Sequence, residues 1–169
     1  ITTTIERHLE GTLFWVLDRT QTPMGGRLLK KWINFPLRTI EPINARLEAV
    51  AELFEKHDIR KKTMETLSDI GDLERLISKI CTNRANPREV ASMKAMLSKI
   101  VNLKSQIERG QSSTIIKIYD VLQPLPNVIN QISSALADDP PLSLADGGVI
   151  KKGYNHELDE LRNLTFNGK

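Results

Sequence analysis

Helical periodicity runs through almost the whole chain. Between Thr12 and Leu37 a short apolar segment gives way to a polar turn and then to a sharply started helix. Thr22 can accept a hydrogen bond from the free N–H groups of the first turn, and Pro23 at the first helical position loses nothing by lacking its own. Leu28, Leu29, Trp32 and Ile33 form an apolar stripe with Arg27, Lys30 and Lys31 mostly off it, and Pro36 ends the helix. Over 41–57, Ile43, Leu47, Val50 and Phe54 recur at spacings of four, three and four, which predicts one buried face. Asp58 is placed to cap a short basic helix over 59–68, whose Arg60, Lys61 and Lys62 sit unfavourably near its positive end.

Leu73, Leu76, Ile77, Ile80 and Cys81 predict a helix over 72–82, with Cys81 a small core residue. Asn86 and Pro87 open a long helix over 87–109, and Glu89 has the spacing of a capping box. Val90, Met93, Leu97, Ile100, Lys104 and Ile107 give that helix a heptad-like seam, and Gly110 takes the usual helix-ending position. Ser113 caps a shorter helix through Leu122. Pro124 and Pro126 break the chain, and 127–137 carries Val128, Ile129, Ile132 and Leu136 inward. A stiff acidic loop (Asp138, Asp139, Pro140, Pro141) leads to a Gly147-Gly148 turn, a brief extended segment and a final helix capped by Asn155 that carries Leu158, Leu161 and Leu164. The expected fold is all-α, a multi-helix bundle with at most a short extended segment near 149–151. Trp32, Leu28, Leu47, Phe54, Leu76, Ile77 and Leu97 are the expected core.

Composition narrows the function classes. At 169 residues the chain is one ordinary domain or two small helical subdomains. The 24 basic and 21 acidic residues leave a net charge of only +3, which is no nucleic-acid footprint by itself. One cysteine excludes an internal disulfide or a cysteine zinc site. No apolar run approaches the roughly 20 residues of a membrane span, and the start, ITTTIERHLEG, lacks the basic and apolar regions of a signal peptide, so a cytoplasmic location is expected. There is no initiator Met, as expected of a piece of a longer protein.

Catalytic constellations are sparse. No G-x-x-x-x-G-K-[ST] loop is present, and Gly25-Gly26-Arg27 and Gly147-Gly148 are too short to replace one. His8, His57 and His156 lack metal-ligand spacing. Ser112 and Ser113 have no His or Lys poised nearby and read as caps. Asp18, Asp69, Asp72 and Glu74 offer no pair of distinct environments for acid–base work and read as caps and surface charge. The expectation is therefore no catalytic, cofactor or metal residue in this chain. Basic clusters at Arg27, Lys30, Lys31 and Arg38, at Arg60 to Lys62, and at Lys151 and Lys152 are the only candidates for nucleic-acid contact. Of these, Arg27, Lys30, Lys31, Lys151 and Lys152 are the candidate DNA-phosphate contacts. The helices over 72–82 and 87–109 mimic a helix-turn-helix, but the second is too long and carries a seam in place of base-reading side chains.

Three motifs carry a family resemblance. Leu17, Asp18, Thr20, Thr22, Pro23, Met24, Gly25, Arg27, Leu28, Leu29, Lys31, Trp32 and Pro36 form a string that resembles the opening of the central core, or lever, domain of the MutS family of DNA mismatch-recognition ATPases. Gly71, Asp72, Leu73, Glu74 and Arg75 resemble a second segment. Asp146 to Ile150, Gly153 to Asn155 and Glu157 to Arg162 resemble a third, in the expected order. The resemblance implies one incomplete core domain over 1–169: opening segment and first helix over 1–37, helical body over 38–137, loop and extended segment over 138–154, and the start of the lever helix over 155–169. It implies a structural module that links a mismatched-DNA clamp to an ATPase domain, both lying elsewhere in the parent protein. ATP and Mg would be held by that missing ATPase domain. Mismatched duplex DNA, the clamp, connector and ATPase domains, a second copy of the parent and downstream repair factors are the implied partners, with no membrane; a bacterial parent would be nucleoid-associated. The alternative is a stand-alone helical DNA-binding module. One departure stands out: Arg7-His8-Leu9-Glu10 runs directly into Gly11-Thr12-Leu13, where the family carries several more residues, so either the loop is short or residues are absent from the recorded chain. With the returning helix absent, an exposed apolar stripe is expected, with fraying or self-association.

Overall fold

A computed structural model describes Thr2 and residues 9–167, with Phe166 and Asn167 described by backbone only. Arg7 and His8 of the shortened junction lie outside the described residues. Among the described residues nine α-helices follow in order: α1 Leu13–Leu17, α2 Pro23–Asn34, α3 Ile40–Glu55, α4 His57–Ser68, α5 Leu73–Cys81, α6 Pro87–Ile107, α7 Ser113–Val121, α8 Pro126–Ala135 and α9 His156–Asn167, with a 3-10 turn at Leu144–Asp146. The all-α expectation holds, and the brief extended segment is an isolated antiparallel bridge between Leu136 and Ile150. Two compact units divide the chain, each built from two separate stretches: 1–75 with 99–124, and 76–98 with 125–169.

In the first unit Thr22 starts α2 as expected, its Oγ1 accepting from Gly25 N at 3.0 Å. Thr12 does the same for α1. A small core forms where α3 crosses α7: Ala49, Ile107 and Ile115 are buried, with Leu53, Tyr119 and Leu122 packed on them. Thr114 Oγ1 donates to Ala45 O at 2.8 Å in the same crossing. Close approach is what demands Gly110. A Cβ there would stand 2.2 Å from Ile115 Cγ2, and the residue is not left-handed, so packing and not a left-handed cap fixes the glycine. Gln106 Nε2 donates to Thr66 Oγ1 at 2.8 Å, and Lys99 pairs with Asp69 at 2.7 Å, tying α4 to the second half of α6.

The second unit buries Leu76, Leu97 and Leu136. Its long helix begins with the complete reciprocal box: Asn86 Oδ1 accepts from Glu89 N and Glu89 Oε2 from Asn86 N, both at 2.9 Å. Ala137 N donates to Val149 O and Lys151 N to Ala135 O, which pins the end of α8 to the segment after the glycine turn. Asn155 caps α9 by accepting from Leu158 N at 2.9 Å.

Several sequence expectations are corrected. Of the seven expected core residues only Leu76 and Leu97 are buried; Trp32, Leu28, Leu47, Phe54 and Ile77 are 40–75% exposed. The Ile43–Leu47–Val50–Phe54 face points to solvent, because α3 packs through Ala45, Ala49 and Leu53 on its other side. Cys81 is exposed as well, and Leu161 is 55% exposed on α9. Asp58 does not cap α4; that helix starts at His57 with Lys56 as its cap residue and no side-chain cap bond. The misplaced positive charge of Arg60 finds its use on the preceding helix, donating from Nη1 to Leu53 O at 3.0 Å and Phe54 O at 2.9 Å. Ser113 is the first residue of α7 and not its cap. Ile40, Leu47, Val50 and Phe54 leave exposed apolar surface along α3. Among the described residues no large side chain is sealed off completely.

Candidate functional site

The residues of the first and second motifs meet in the first unit. Asp18 folds the turn before α2: its Oδ1 accepts from Thr20 N at 3.0 Å and from Thr20 Oγ1 at 2.7 Å, and that hydroxyl bond chiefly holds its carboxyl below the usual range. Gly25 fits beneath this turn, where a Cβ would crowd Thr20 and Thr22 at 3.2 Å. The turn thereby sets the register of α2, and with it the direction of Arg27.

Arg27 reaches the start of α5. Its Nη1 and Nη2 donate to Asp72 Oδ2 and Oδ1 at 2.8 and 2.7 Å, while Nε and Nη2 donate to Glu74 Oε2 at 3.1 and 2.6 Å. A planar fork facing one carboxylate and touching a second is a geometry lysine cannot reproduce. Arg27 holds the Asp72 carboxyl down to about 2, and the Arg27 guanidinium is in turn raised above its ordinary value, first by Asp72 and then by Glu74. Asp72 has a second duty, accepting from Arg75 N at 3.2 Å as the cap of α5. The guanidinium remains about half exposed, so water screens the pair and its value is directional more than energetic. An open cleft of about 470 Å³ lies alongside, lined by Phe14, Asp18, Thr22, Arg27 and Lys30 among others.

The third motif builds a separate turn in the second unit. Asp159 Oδ2 accepts from Gly153 N at 2.6 Å and its Oδ1 from Arg162 Nη1 at 3.2 Å, and Arg162 Nη2 donates to Ile150 O at 3.0 Å. One ion pair thus closes the loop before α9 onto that helix. Gly147 and Gly148 both take φ of 71°, in the turn the sequence placed there.

The five candidate phosphate contacts are placed unequally. Arg27 is committed to two carboxylates, and Lys151 Nζ pairs with Asp138 at 2.8 Å, which draws the Asp138 carboxyl down. Lys31 and Lys152 are exposed and Lys30 is half-buried at the cleft. Lys30 and Lys31 share the first unit with Arg27, and Lys151 and Lys152 belong to the second. Among the described residues no group of His, Cys, Asp and Glu is arranged to hold a metal ion, and no helix is long and apolar enough to cross a membrane.

Sequence reasoning missed Glu52. Its Oε1 and Oε2 accept from Gln111 N and Ser112 N, each at 2.8 Å, and Lys56 Nζ donates to Oε1 at 2.7 Å. Burial pushes this carboxyl up, but the Lys56 ammonium and the two N–H groups outweigh it and bring it to about 2. A residue of α3 therefore holds the two N–H groups just ahead of α7, whose own first turn has no side-chain cap. The partners are some sixty positions apart, so no local spacing announces them.

The chain is similar to known proteins over nearly its full length. A family model described as MutS domain III matches residues 1–166. The DNA mismatch repair protein MutS of Salinibacter ruber is 41% identical over 160 residues, covering 95% of this chain and 18% of that protein. That of Alkaliphilus oremlandii is 42% identical over 165 residues, with 96% and 18% covered. That of Clostridium perfringens is 40% identical over 164, with 97% and 18%. The chain thus spans under a fifth of the length of these curated relatives.

Proposed function

Since the chain belongs to the MutS domain III family, we propose that it is the structural, signal-transmitting core of a DNA mismatch repair ATPase. In that role it links a clamp on mismatched duplex DNA to the ATPase domain of the same protein. The nucleotide and its Mg bind outside this chain, in the ATPase domain. The connector domain, a second copy of the parent and downstream repair factors are its further partners. A relay body needs elements that move as units, because a packed interior switches between arrangements and does not stretch.

The observation that carries this function is the Arg27 fork on Asp72 and Glu74. Arg27 and Asp72, from two of the family's motifs and forty-five positions apart, lock α2 to the start of α5. Any phosphate contact falls to Lys30, Lys31 and Lys152, the candidate cations without an ion pair among the described residues.

The test uses the full-length protein with Asp72→Asn, which keeps a good capping residue for α5 while removing half of the charge facing Arg27. Mismatched DNA and nucleotide should each alter the affinity for the other by one shared factor. The variant is expected to keep its basal ATP turnover and lose most of that coupling factor. An unchanged coupling factor in a correctly folded variant would remove the relay role. Tight binding of mismatched duplex by the isolated chain, weakening steeply with salt, would favour a stand-alone DNA-binding module instead.

A further inference from the structure

The start of α9 is held by hydrogen bonds and hardly by packing. An open cleft of about 300 Å³ is lined by Ile150, Tyr154, Leu158 and Leu161 among others, and Tyr154 and Leu161 are 49 and 55% exposed. Beyond the cap residue Asn155, the ties between α9 and the chain ahead of it run, among the described residues, through two side chains one helical turn apart. Asp159 Oδ2 accepts from Gly153 N at 2.6 Å, and Gly153 takes a φ of 86°, in the region that favours glycine. Arg162 Nη2 reaches back twelve positions to donate to Ile150 O at 3.0 Å, while Nη1 of the same fork donates to Asp159 Oδ1 at 3.2 Å.

Ile150 is itself an anchored point. On either side of it the backbone is bonded to the end of α8: Ala137 N donates to Val149 O at 2.9 Å and Lys151 N to Ala135 O at 2.8 Å. Its bridge partner Leu136 is buried. A swing of α9 about its Asn155 cap therefore either breaks the Arg162–Ile150 bond or drags the bridge and the end of α8 with it. A planar guanidinium serves a carbonyl and a carboxylate in two directions at once, whereas the ammonium of a lysine is a single point.

We propose that Arg162 is the positioning residue of this joint: it fixes the direction of α9 and hands a displacement of that helix to α8 through the Ile150 carbonyl. The inference rests on the relay function above and names the residue at which a pull along α9 enters the second unit. It is tested in the full-length protein with Arg162→Gln, Arg162→Lys and the control Glu160→Gln, whose pair with His156 is exposed and stays within α9. Hydrogen exchange reads the joint; the effect of mismatched DNA and nucleotide on each other's affinity reads the relay. Arg162→Gln is expected to speed exchange of the amides over 150–155 by about tenfold. It should lower the coupling factor by about fivefold, with basal ATP turnover and nucleotide-free DNA affinity unchanged within about twofold. Arg162→Lys keeps the charge but not the fork and should lose the same factor. Asp159→Asn, which keeps an oxygen for Gly153 N but removes the charge facing Arg162, is a second route to that loss should Arg162→Gln fail to fold. Glu160→Gln should match wild type in both readouts. Unchanged coupling in Arg162→Gln, full coupling in Arg162→Lys, or an equal loss in Glu160→Gln would overturn the proposal while leaving the relay intact, because wild type still couples. A wild-type protein whose DNA and nucleotide affinities are independent would remove the relay and this assignment together.

Discussion

Replacing Glu52 by alanine removes an acceptor, carried on a different helix, from the two N–H groups just before α7. Gln111 N and Ser112 N lose their 2.8 Å bonds, and Lys56 loses its carboxylate. The magnitude follows from the carboxyl's displacement. A fall from 4.5 to about 2 corresponds to roughly 3 kcal/mol if felt in full. The Lys56 end of the cluster is 31% exposed, so water screens part of this, and we take about 2 kcal/mol. A hydrogen bond to a charged group is independently worth about 1.5–3 kcal/mol, which agrees. For a chain of this size that is a drop in Tm of about 4–8 °C. The folded-state pKa is depressed, so the contribution is complete above the unfolded value near 4.5 and disappears as pH falls through about 2. Thermal and urea denaturation followed by circular dichroism should show the full gap between wild type and Glu52→Ala at pH 7, and a gap closing between pH 5 and pH 2. Glu48→Ala, four residues earlier and exposed, is the control and should stay within about 0.5 kcal/mol. A Glu52→Ala variant indistinguishable from that control, or a gap of the same size at pH 2, would refute the assignment of Glu52 as the acceptor that holds the entry to α7.

Three further outcomes are expected. Gly110→Ala forces a Cβ to within 2.2 Å of Ile115 Cγ2 and should destabilise by about 1–3 kcal/mol in urea titrations, with α7 displaced. Leu97→Ala, at a residue 4% exposed, should cost about 2–4 kcal/mol, whereas Phe54→Ala, at one 75% exposed, should cost under about 0.5 kcal/mol; equal losses would mean that α3 packs through its other face. Asn86→Ala removes one half of the reciprocal box that starts α6 and should cost about 1 kcal/mol, read as faster amide exchange in the first turn of that helix.

The amino-acid sequence by itself determined where helices with a local side-chain cap begin, and which residues form the motif turns, but not the starts of α4 and α7, which have no such cap. Thr22 with Pro23, Asn86 with Glu89, and Asn155 act within three positions of themselves, so their chemistry is visible along the chain. The family, too, was legible, because its motifs are contiguous strings. Only the tertiary structure decided which face of each helix is covered. Periodicity records that α3 has an apolar side; it carries no information about what lies against that side, and here the covered side is the one bearing Ala45, Ala49 and Glu52. The same limit explains Arg27 and Glu52. Their partners stand forty-five and sixty positions away, and a charge set by a distant neighbour becomes readable only when the fold has brought the two together.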